Sequence, residues 1–318
     1  MRGSAIGTHT MSTSPAPIRS RWLIVGCFLA VYGIWGSTYL AIRISVETLP
    51  PFLMAGARFF VAGILMYAWL RATGTPAPTR RQWNYAAAQG FLLLTAGNSV
   101  IVWAEQWVPS SLAALIVCTQ PVWFALVEWV RPGGRAPVLR QWTGIGVGLV
   151  GVLWLIAAAS GIQSETDRHL PLLLAVLAAC LAWSTGSVLG RNWDKPESPL
   201  CGAAMQMICG GIASLLVAAA RREDLAMHWS AVSTNSWLAL AYLVVFGSWI
   251  AYSAYVFLLQ ACPPSVVSTY AYVNPVIAVL LGATLAGERV SLSMGAAGAV
   301  TLGGVLLLTL PSRGPKRA

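Results

Sequence analysis

The sequence is poor in charge. Only 9% of its 318 residues are Asp, Glu, Lys or Arg, against about 25% in ordinary soluble domains. A chain of this size cannot cover a water-facing surface with so few charges, which excludes a soluble globular enzyme. Disorder of the whole chain is excluded too, since 57% of residues are hydrophobic and 10% aromatic. Lysine is nearly missing: Lys195 and Lys316 are two of 20 basic residues. Histidine is scarce, and His9, His169 and His228 all fall outside the apolar core. The six cysteines contain no C-x-x-C pair, so a zinc cluster or disulfide framework has no basis, and they read as buried thiols. No Walker loop is present, which removes ATP as an energy source. There is also no H-E-x-x-H or G-x-S-x-G. Gly146-x-Gly148-x-x-Gly151 matches a dinucleotide fingerprint in letters only. It lies inside an apolar run with no preceding strand, where small residues serve close helix packing.

What the chain does have is long apolar runs. Ten of them fall at about 22–42, 51–70, 84–104, 110–130, 142–159, 170–190, 200–220, 236–259, 265–285 and 294–311. Each is near the roughly 20 residues that cross a 30 Å hydrocarbon core as a helix. Backbone groups in lipid must bond within their own segment, so helix is the form these runs take. Trp22, Trp83, Trp107, Trp142, Trp193 and Trp237 stand near run ends, as an interfacial aromatic belt does. The basic residues sort by side. Fourteen fall on the side of the N-terminus, five on the other, and Arg58 stands inside a run. The positive-inside rule then puts both termini in the cytoplasm and favours an even number of spans. The net charge of +10 is therefore a topology signal, and no nucleic-acid partner is expected. Residues 1–21 read as a disordered cytoplasmic tail, and 312–318 as a second cytoplasmic tail.

The two halves of the chain echo each other. Gln106, Pro109, Gln120-Pro121-Val122 and Gly144 in the first half answer to Gln260, Pro263, Asn274-Pro275-Val276 and Gly298 in the second, at equal spacings. Trp35 precedes Arg43 by the same interval as Trp183 precedes Arg191. Five spans per half is an odd number, so the second half enters the membrane from the opposite face. This is an inverted-topology repeat, the usual basis of alternating access around a midplane site. The expected fold is an all-α integral membrane protein: ten transmembrane helices in two inverted five-helix repeats, residues 22–159 and 170–311.

The residues that fix a family resemblance are Trp35-Gly36-Ser37-Thr38, Arg58-Phe59, and Pro109-Ser110-Ser111-Leu112-Ala113-Ala114 leading to Gln120-Pro121. In the second half they are Trp183-Ser184, Ser265 to Pro275, Leu281-Gly282 and Gly287-Glu288-Arg289. With these, the chain resembles the EamA-type exporters of the drug/metabolite transporter superfamily over about residues 22–310. The stretch Ser268 to Pro275 is most similar to a branch of amino-acid and metabolite exporters. One departure is that Gly133-Gly134 stands where the family often carries Gly-Glu, so Glu288 lacks a first-half counterpart. The resemblance implies a secondary transporter of the bacterial inner membrane that exports a small polar metabolite, an amino acid or related compound. It implies alternating access, with proton coupling as one driving mode. Drugs or other metabolites of the superfamily are the alternative cargo. The expected partners are a small-molecule substrate and the lipid bilayer, the chain being a monomer or homodimer. No cofactor and no metal are expected. A membrane-embedded lipid-modifying enzyme would need convergent His, Asp or Glu at one depth, which the sequence lacks.

The candidate site residues are polar or aromatic groups deep in the runs. Arg58 lies about eight residues into the second run, roughly 10–12 Å along a helix. A central Arg costs about 2.5–3.5 kcal/mol on insertion scales, so it faces the bundle interior. Two roles stand level for it: a fork onto a substrate carboxylate, or a structural Arg bonded to carbonyls near the outer surface. Asn98, Gln120 and Asn274 are strong candidates, because an amide needs more partners than a hydroxyl bonded back to its own helix. Ser37, Tyr39, Trp103, Trp183, Tyr252 and Tyr270 complete the candidate substrate-binding set. Glu105 and Glu128 are candidate proton carriers, against a loop carboxylate for the first and an interfacial ion pair for the second. Pro121 and Pro275 each remove a helix bond at matched places. They are candidate hinges, or else static bends that shape a cavity.

Overall fold

A computed structural model of the chain describes residues 21–134, 136–160, 166–223, 227, 229–262, 264–287 and 290–309. Both tails and Glu288 and Arg289 lie outside the described residues. Ten helical rods follow in chain order, and no strand occurs among the described residues. They are α1 (Arg21–Ser45), α2 (Pro51–Ala72), α3 (Arg80–Ala104), α4 (Ser110–Val130), α5 (Leu139–Ser160), α6 (Thr166–Leu189), α7 (Pro199–Ala220), α8 (Thr234–Ala261), α9 (Tyr270–Leu285) and α10 (Leu292–Thr309). Seven helices are long and apolar enough to cross a membrane. Two further rods hold shorter apolar stretches, Val273–Leu285 and Leu292–Gly304. The count by length and composition thus falls short of the expected ten, although ten rods are present. In α9 the reason is visible: the run expected at 265–285 is divided at Ser268 and Thr269, with a short turn Pro264–Val267 before the break.

Local chemistry sets several boundaries outside the expected ones. Helix α3 begins four residues before the apolar run because Thr79 and Gln82 form a capping box. The Gln82 backbone N–H donates to Thr79 Oγ1 at 3.2 Å, and the Thr79 N–H donates to Gln82 Oε1 at 3.0 Å. Ser233 caps α8 by accepting from the Ser236 N–H at 3.1 Å. Helix α4 is two pieces, Ser110–Val117 and Gln120–Val130, joined at Cys118 and Thr119. Pro121 occupies the first turn of the second piece, where its missing N–H leaves no helix bond unmade. Pro275 differs: it stands inside α9, six residues past the break at Ser268 and Thr269.

Sequence reasoning missed a second matched irregularity. The third rod of each half carries a π-helical stretch, Phe91–Ser99 in α3 and Leu243–Tyr252 in α8. In the first, Ser99 Oγ donates to Leu94 O at 2.8 Å, five residues back. Such stretches are rare and gather at functional sites.

The packing repeats under exchange of the two halves. Helix α2 lies along α7 and α5 along α10, the two most extensive contacts; α1 packs on α9 and α8 as α6 packs on α4 and α3. Each of the first two pairs joins counterpart helices, so both lie on the pseudo-two-fold axis. Trp35 and Trp183 meet edge to face at 5.5 Å. Glycine permits the closest of these approaches. A Cβ on Gly63 would come 2.7 Å from the Ile208 backbone nitrogen, and one on Gly211 would come 2.5 Å from that of Phe60. Gly63 and Gly211 stand 148 residues apart, as do Phe60 and Ile208, and Trp35 and Trp183.

Backbone obstructs both glycines, so no rotamer change can relieve a larger residue there. Gly63→Val or Gly211→Val is expected to cost at least the ~1–3 kcal/mol of core overpacking, read as loss of the monodisperse peak and a lower Tm in detergent. Gly146→Ala, where nothing lies within 4 Å, is expected to leave both unchanged.

Candidate functional site

Between the two halves lies a cavity of about 60 Å³. Its walls come from α1, α2, α3, α4, α6, α8 and α9. Eight of the expected site residues face it: Tyr39, Arg58, Asn98, Gln120, Trp183, Tyr252, Tyr270 and Asn274. Thr38, a hydroxyl deep in the first run and so also a cavity candidate, lines it as well, and Trp35, Phe59 and Gly247 do so without having been singled out as site residues.

Arg58 is 3% exposed. Its Nε donates to Ser248 Oγ at 2.8 Å. Its guanidinium lies against the backbone of α8, where a Cβ on Gly247 would come 2.7 Å from Nη2. The π-helical stretch thus presents a glycine and a serine where the guanidinium needs space and an acceptor. Nη1 has no hydrogen-bond partner. The acidic residue nearest in charge interaction is Glu105, which is 0% exposed and forms no ion pair with Arg58. The adjacent backbone is fixed from α1, because Arg43 Nη1 donates to the Glu105 and Gln106 carbonyls at 2.6 and 2.9 Å.

The amides divide into bonded and open groups. Gln120 Oε1 accepts from Ser184 Oγ at 3.3 Å and from the Tyr270 hydroxyl at 3.5 Å. The Asn274 amide is oriented so that Nδ2 donates to the Tyr32 and Tyr270 carbonyls at 3.1 and 3.2 Å. Asn98 Oδ1 is buried without a partner. The aromatic groups form a wall along one side: Trp35 lies 5.4 Å from Tyr270 and 5.0 Å from Tyr255. The Trp183 Nε1–H donates to the Tyr255 hydroxyl at 2.9 Å.

The matched positions behave differently in the two halves. Gln206 is the counterpart of Arg58, and Tyr252 that of Asn98, by the spacings that relate the halves. The second-half pair bond each other, with the Tyr252 hydroxyl donating to Gln206 Oε1 at 2.6 Å. Gln206 Nε2 continues to Gln89 Oε1 at 2.8 Å. In the first half, Arg58 keeps an open donor and Asn98 an open acceptor. An unpartnered buried polar group costs about 1–3 kcal/mol, and two of them, one a donor and one an acceptor, belong to residues that line this one cavity.

Four expected residues lie elsewhere. Ser37 points away from the cavity and shares a 2.6 Å bond with the Tyr242 hydroxyl. Trp103 sits 5.8 Å beneath the Arg221 guanidinium and edge-on to Trp107. Glu105 is coupled to the cavity through Arg58 but is not among its lining residues. Glu128 pairs with Arg131 at the end of α4, where both are partly exposed. Pro121 and Pro275 flank the cavity residues Gln120 and Asn274 without facing it. Among the described residues no cluster of His, Cys, Asp or Glu could hold a metal.

Ten helical rods among the described residues, seven of them long and apolar enough to span a membrane, and packing that repeats between the halves define an all-α membrane protein with a small cavity between those halves. The model of the EamA-like transporter family matches the chain twice, over residues 21–157 and 170–310, and the chain belongs to that family as a membrane transporter. The chain is 38% identical over 288 residues to the inner membrane transporter YedA of Escherichia coli (strain K12), covering 90% of each chain. It is 24% identical to the transporter sll0355 of Synechocystis over 280 residues, 83% of this chain and 82% of that one. It is 22% identical to the transporter YvbV of Bacillus subtilis over 302 residues, 94% and 95% of the two. A solved crystal structure of 22% identity superposes with a TM-score of 0.66 over 92% of this chain and 98% of its own, and so shares the fold.

Ser248 supplies the hydrogen bond to Arg58 Nε. Ser248→Ala is expected to lower stability by about 1.5–3 kcal/mol, the range for hydrogen bonds to charged groups, measured by thermal unfolding in detergent. An unchanged Tm would show that Arg58 is held by other means.

Proposed function

We propose that this transporter exports a small zwitterionic metabolite of the amino-acid class by alternating access, with the central cavity as its binding site. The observation that carries this reading is the pair of open atoms on one cavity, Arg58 Nη1 and Asn98 Oδ1. A substrate carboxylate takes the guanidinium and a substrate ammonium donates to the amide oxygen. Trp35, Trp183 and Tyr270 form the apolar wall for a side chain. Gln120 and Asn274 hold α4 and α9 beside their breaks, and Pro121 and Pro275 are the hinges. Ligand sites typically enclose about 300–1,000 Å³, so a 60 Å³ cavity corresponds to a closed state that must widen to load.

Glu105 is the proton carrier in this reading. Substrate binding at Arg58 competes with its carboxylate for the same positive charge, which links the proton on Glu105 to the substrate. Glu128, paired with Arg131, has a structural role. Both termini lie in the cytoplasm, and the inverted repeat carries the cavity from one face to the other.

The test is uptake of labelled amino acids from the medium into proteoliposomes. Loss of one charge-assisted contact, by Arg58→Gln or Asn98→Ala, is expected to weaken apparent affinity about ten- to a hundredfold while the protein stays monodisperse. Glu105→Gln is expected to abolish flux driven by a pH gradient and to leave substrate exchange without a gradient intact. Unaltered flux in the Arg58 and Asn98 variants would remove the site assignment. Equal loss of both modes in Glu105→Gln would remove the coupling role.

A further inference from the structure

A second and larger space lies outside the bundle axis. A groove of about 880 Å³ runs between α1, α8 and the end of α9. It shares α1 as a wall with the central cavity but uses the opposite face of that helix. Ser37 lines the groove, whereas Thr38 and Tyr39 line the cavity. The floor of the groove is the Ser37–Tyr242 hydroxyl pair at 2.6 Å. Its sides are apolar, with Leu281, Leu238 and Leu285, the last two 63% and 72% exposed.

Depth and charge identify an occupant. Ser37 lies eight residues before the end of α1 at Ser45, about 12 Å of helix, and Glu47 stands in the turn just beyond that end. That is close to half of a ~30 Å hydrocarbon core, near the depth of one leaflet. At the mouth stand Arg43 and Glu47. Arg43 lies in the last turn of α1 and Glu47 in the turn that follows it, and the two form no ion pair. Arg43 is held instead by the Glu105 and Gln106 carbonyls, and both bonds use Nη1. Its Nε and Nη2 are uncommitted, and the Glu47 carboxylate is exposed. The mouth therefore offers one fixed cation beside one free anion, above an apolar trench one leaflet deep.

We propose that this groove binds a single phospholipid with a zwitterionic ethanolamine headgroup. The phosphate takes the guanidinium of Arg43, the ammonium takes the carboxylate of Glu47, and the acyl chains lie against Leu238, Leu281 and Leu285. An anionic glycerol headgroup meets Arg43 equally well but leaves Glu47 facing unpaired negative charge, so the site discriminates between the two. The inference does not depend on which molecule is transported. Because α1 separates the lipid from the cavity, an occupied groove holds that wall in place.

The test uses the purified full chain in detergent, titrated with phosphatidylethanolamine or phosphatidylglycerol of the same acyl chains. Retained lipid is read by native mass spectrometry and stabilisation by Tm. One phosphatidylethanolamine per chain is expected, bound in preference to phosphatidylglycerol. Glu47→Gln is expected to reduce that preference about twofold to fivefold, the range of a solvent-exposed ion pair. Leu238→Trp with Leu281→Trp fills the trench and is expected to remove the retained lipid, whereas Leu174→Trp, at an exposed position of α6, retains it. Equal retention of both lipids by the unaltered chain would overturn the proposal. So would retention that survives filling of the trench, or a dimer that the trench variant abolishes.

Discussion

A polar group surrounded by hydrocarbon must find its partner inside the protein, and the rest of this structure follows from that requirement. It forces the backbone into helices. It also leaves a buried charge such as Arg58 only the bundle axis, where another helix can supply an acceptor. Ser248 supplies it from α8, and Gly247 makes room. A guanidinium on the lipid face would have neither. The cavity lies beside Arg58 among seven helices, and the guanidinium with Asn98, Gln120 and Asn274 supplies polar groups of its lining.

The internal two-fold axis gives those partners fixed positions. Counterpart helices α2 and α7 cross at Gly63 and Gly211, so close that only glycine fits at either place. In lipid, where apolar burial gives no net drive for helices to associate, such close packing is a main source of adhesion. The interruptions lie off that axis, at Cys118–Thr119 within α4 and at Ser268–Thr269 ahead of α9, while α1 and α6 run unbroken. Rigid crossings and interrupted helices are therefore divided between different rods.

Much of this was legible in the residues. Apolar runs of bilayer length stand out in a chain of 9% charge, and matched spacings around Pro121 and Pro275 revealed two copies. Asn98, Gln120 and Asn274 were conspicuous because an amide in an apolar run is costly unless something meets it. What was not legible depended on helix facing. Ser37 and Thr38 are adjacent and chemically alike, yet one faces the groove and the other the cavity. Only the positions of the neighbouring helices decide between them. Trp103 is the clearer case. The π-helical stretch Phe91–Ser99 widens α3 by shifting its bonds to a five-residue interval. Every side chain beyond it therefore faces a direction that a regular helical count does not give. Asn98 lies within the stretch and faces the cavity, while Trp103 lies beyond it and turns beneath Arg221. The glycine and hydroxyl content of both stretches, Thr95 to Ser99 and Gly247-Ser248, was the one available sign of irregular backbone.

The repeat is symmetric in backbone and asymmetric in chemistry, and the asymmetry bears on how such a protein can work. Exchange of the halves maps the α2/α7 crossing onto itself, but it maps Arg58 onto Gln206 and Asn98 onto Tyr252. The second-half pair satisfy each other and continue through Gln89 to the Gly186 carbonyl. That network is closed and needs no ligand. The first-half pair cannot do the same, since Arg58 has no carbonyl from Asn98 in reach and each keeps an open atom. Two identical halves would have either two closed networks and no site, or two open ones and too great an energetic cost. Divergence at two positions leaves the second half with a satisfied pair and the first half with two open atoms on the residues that line the cavity.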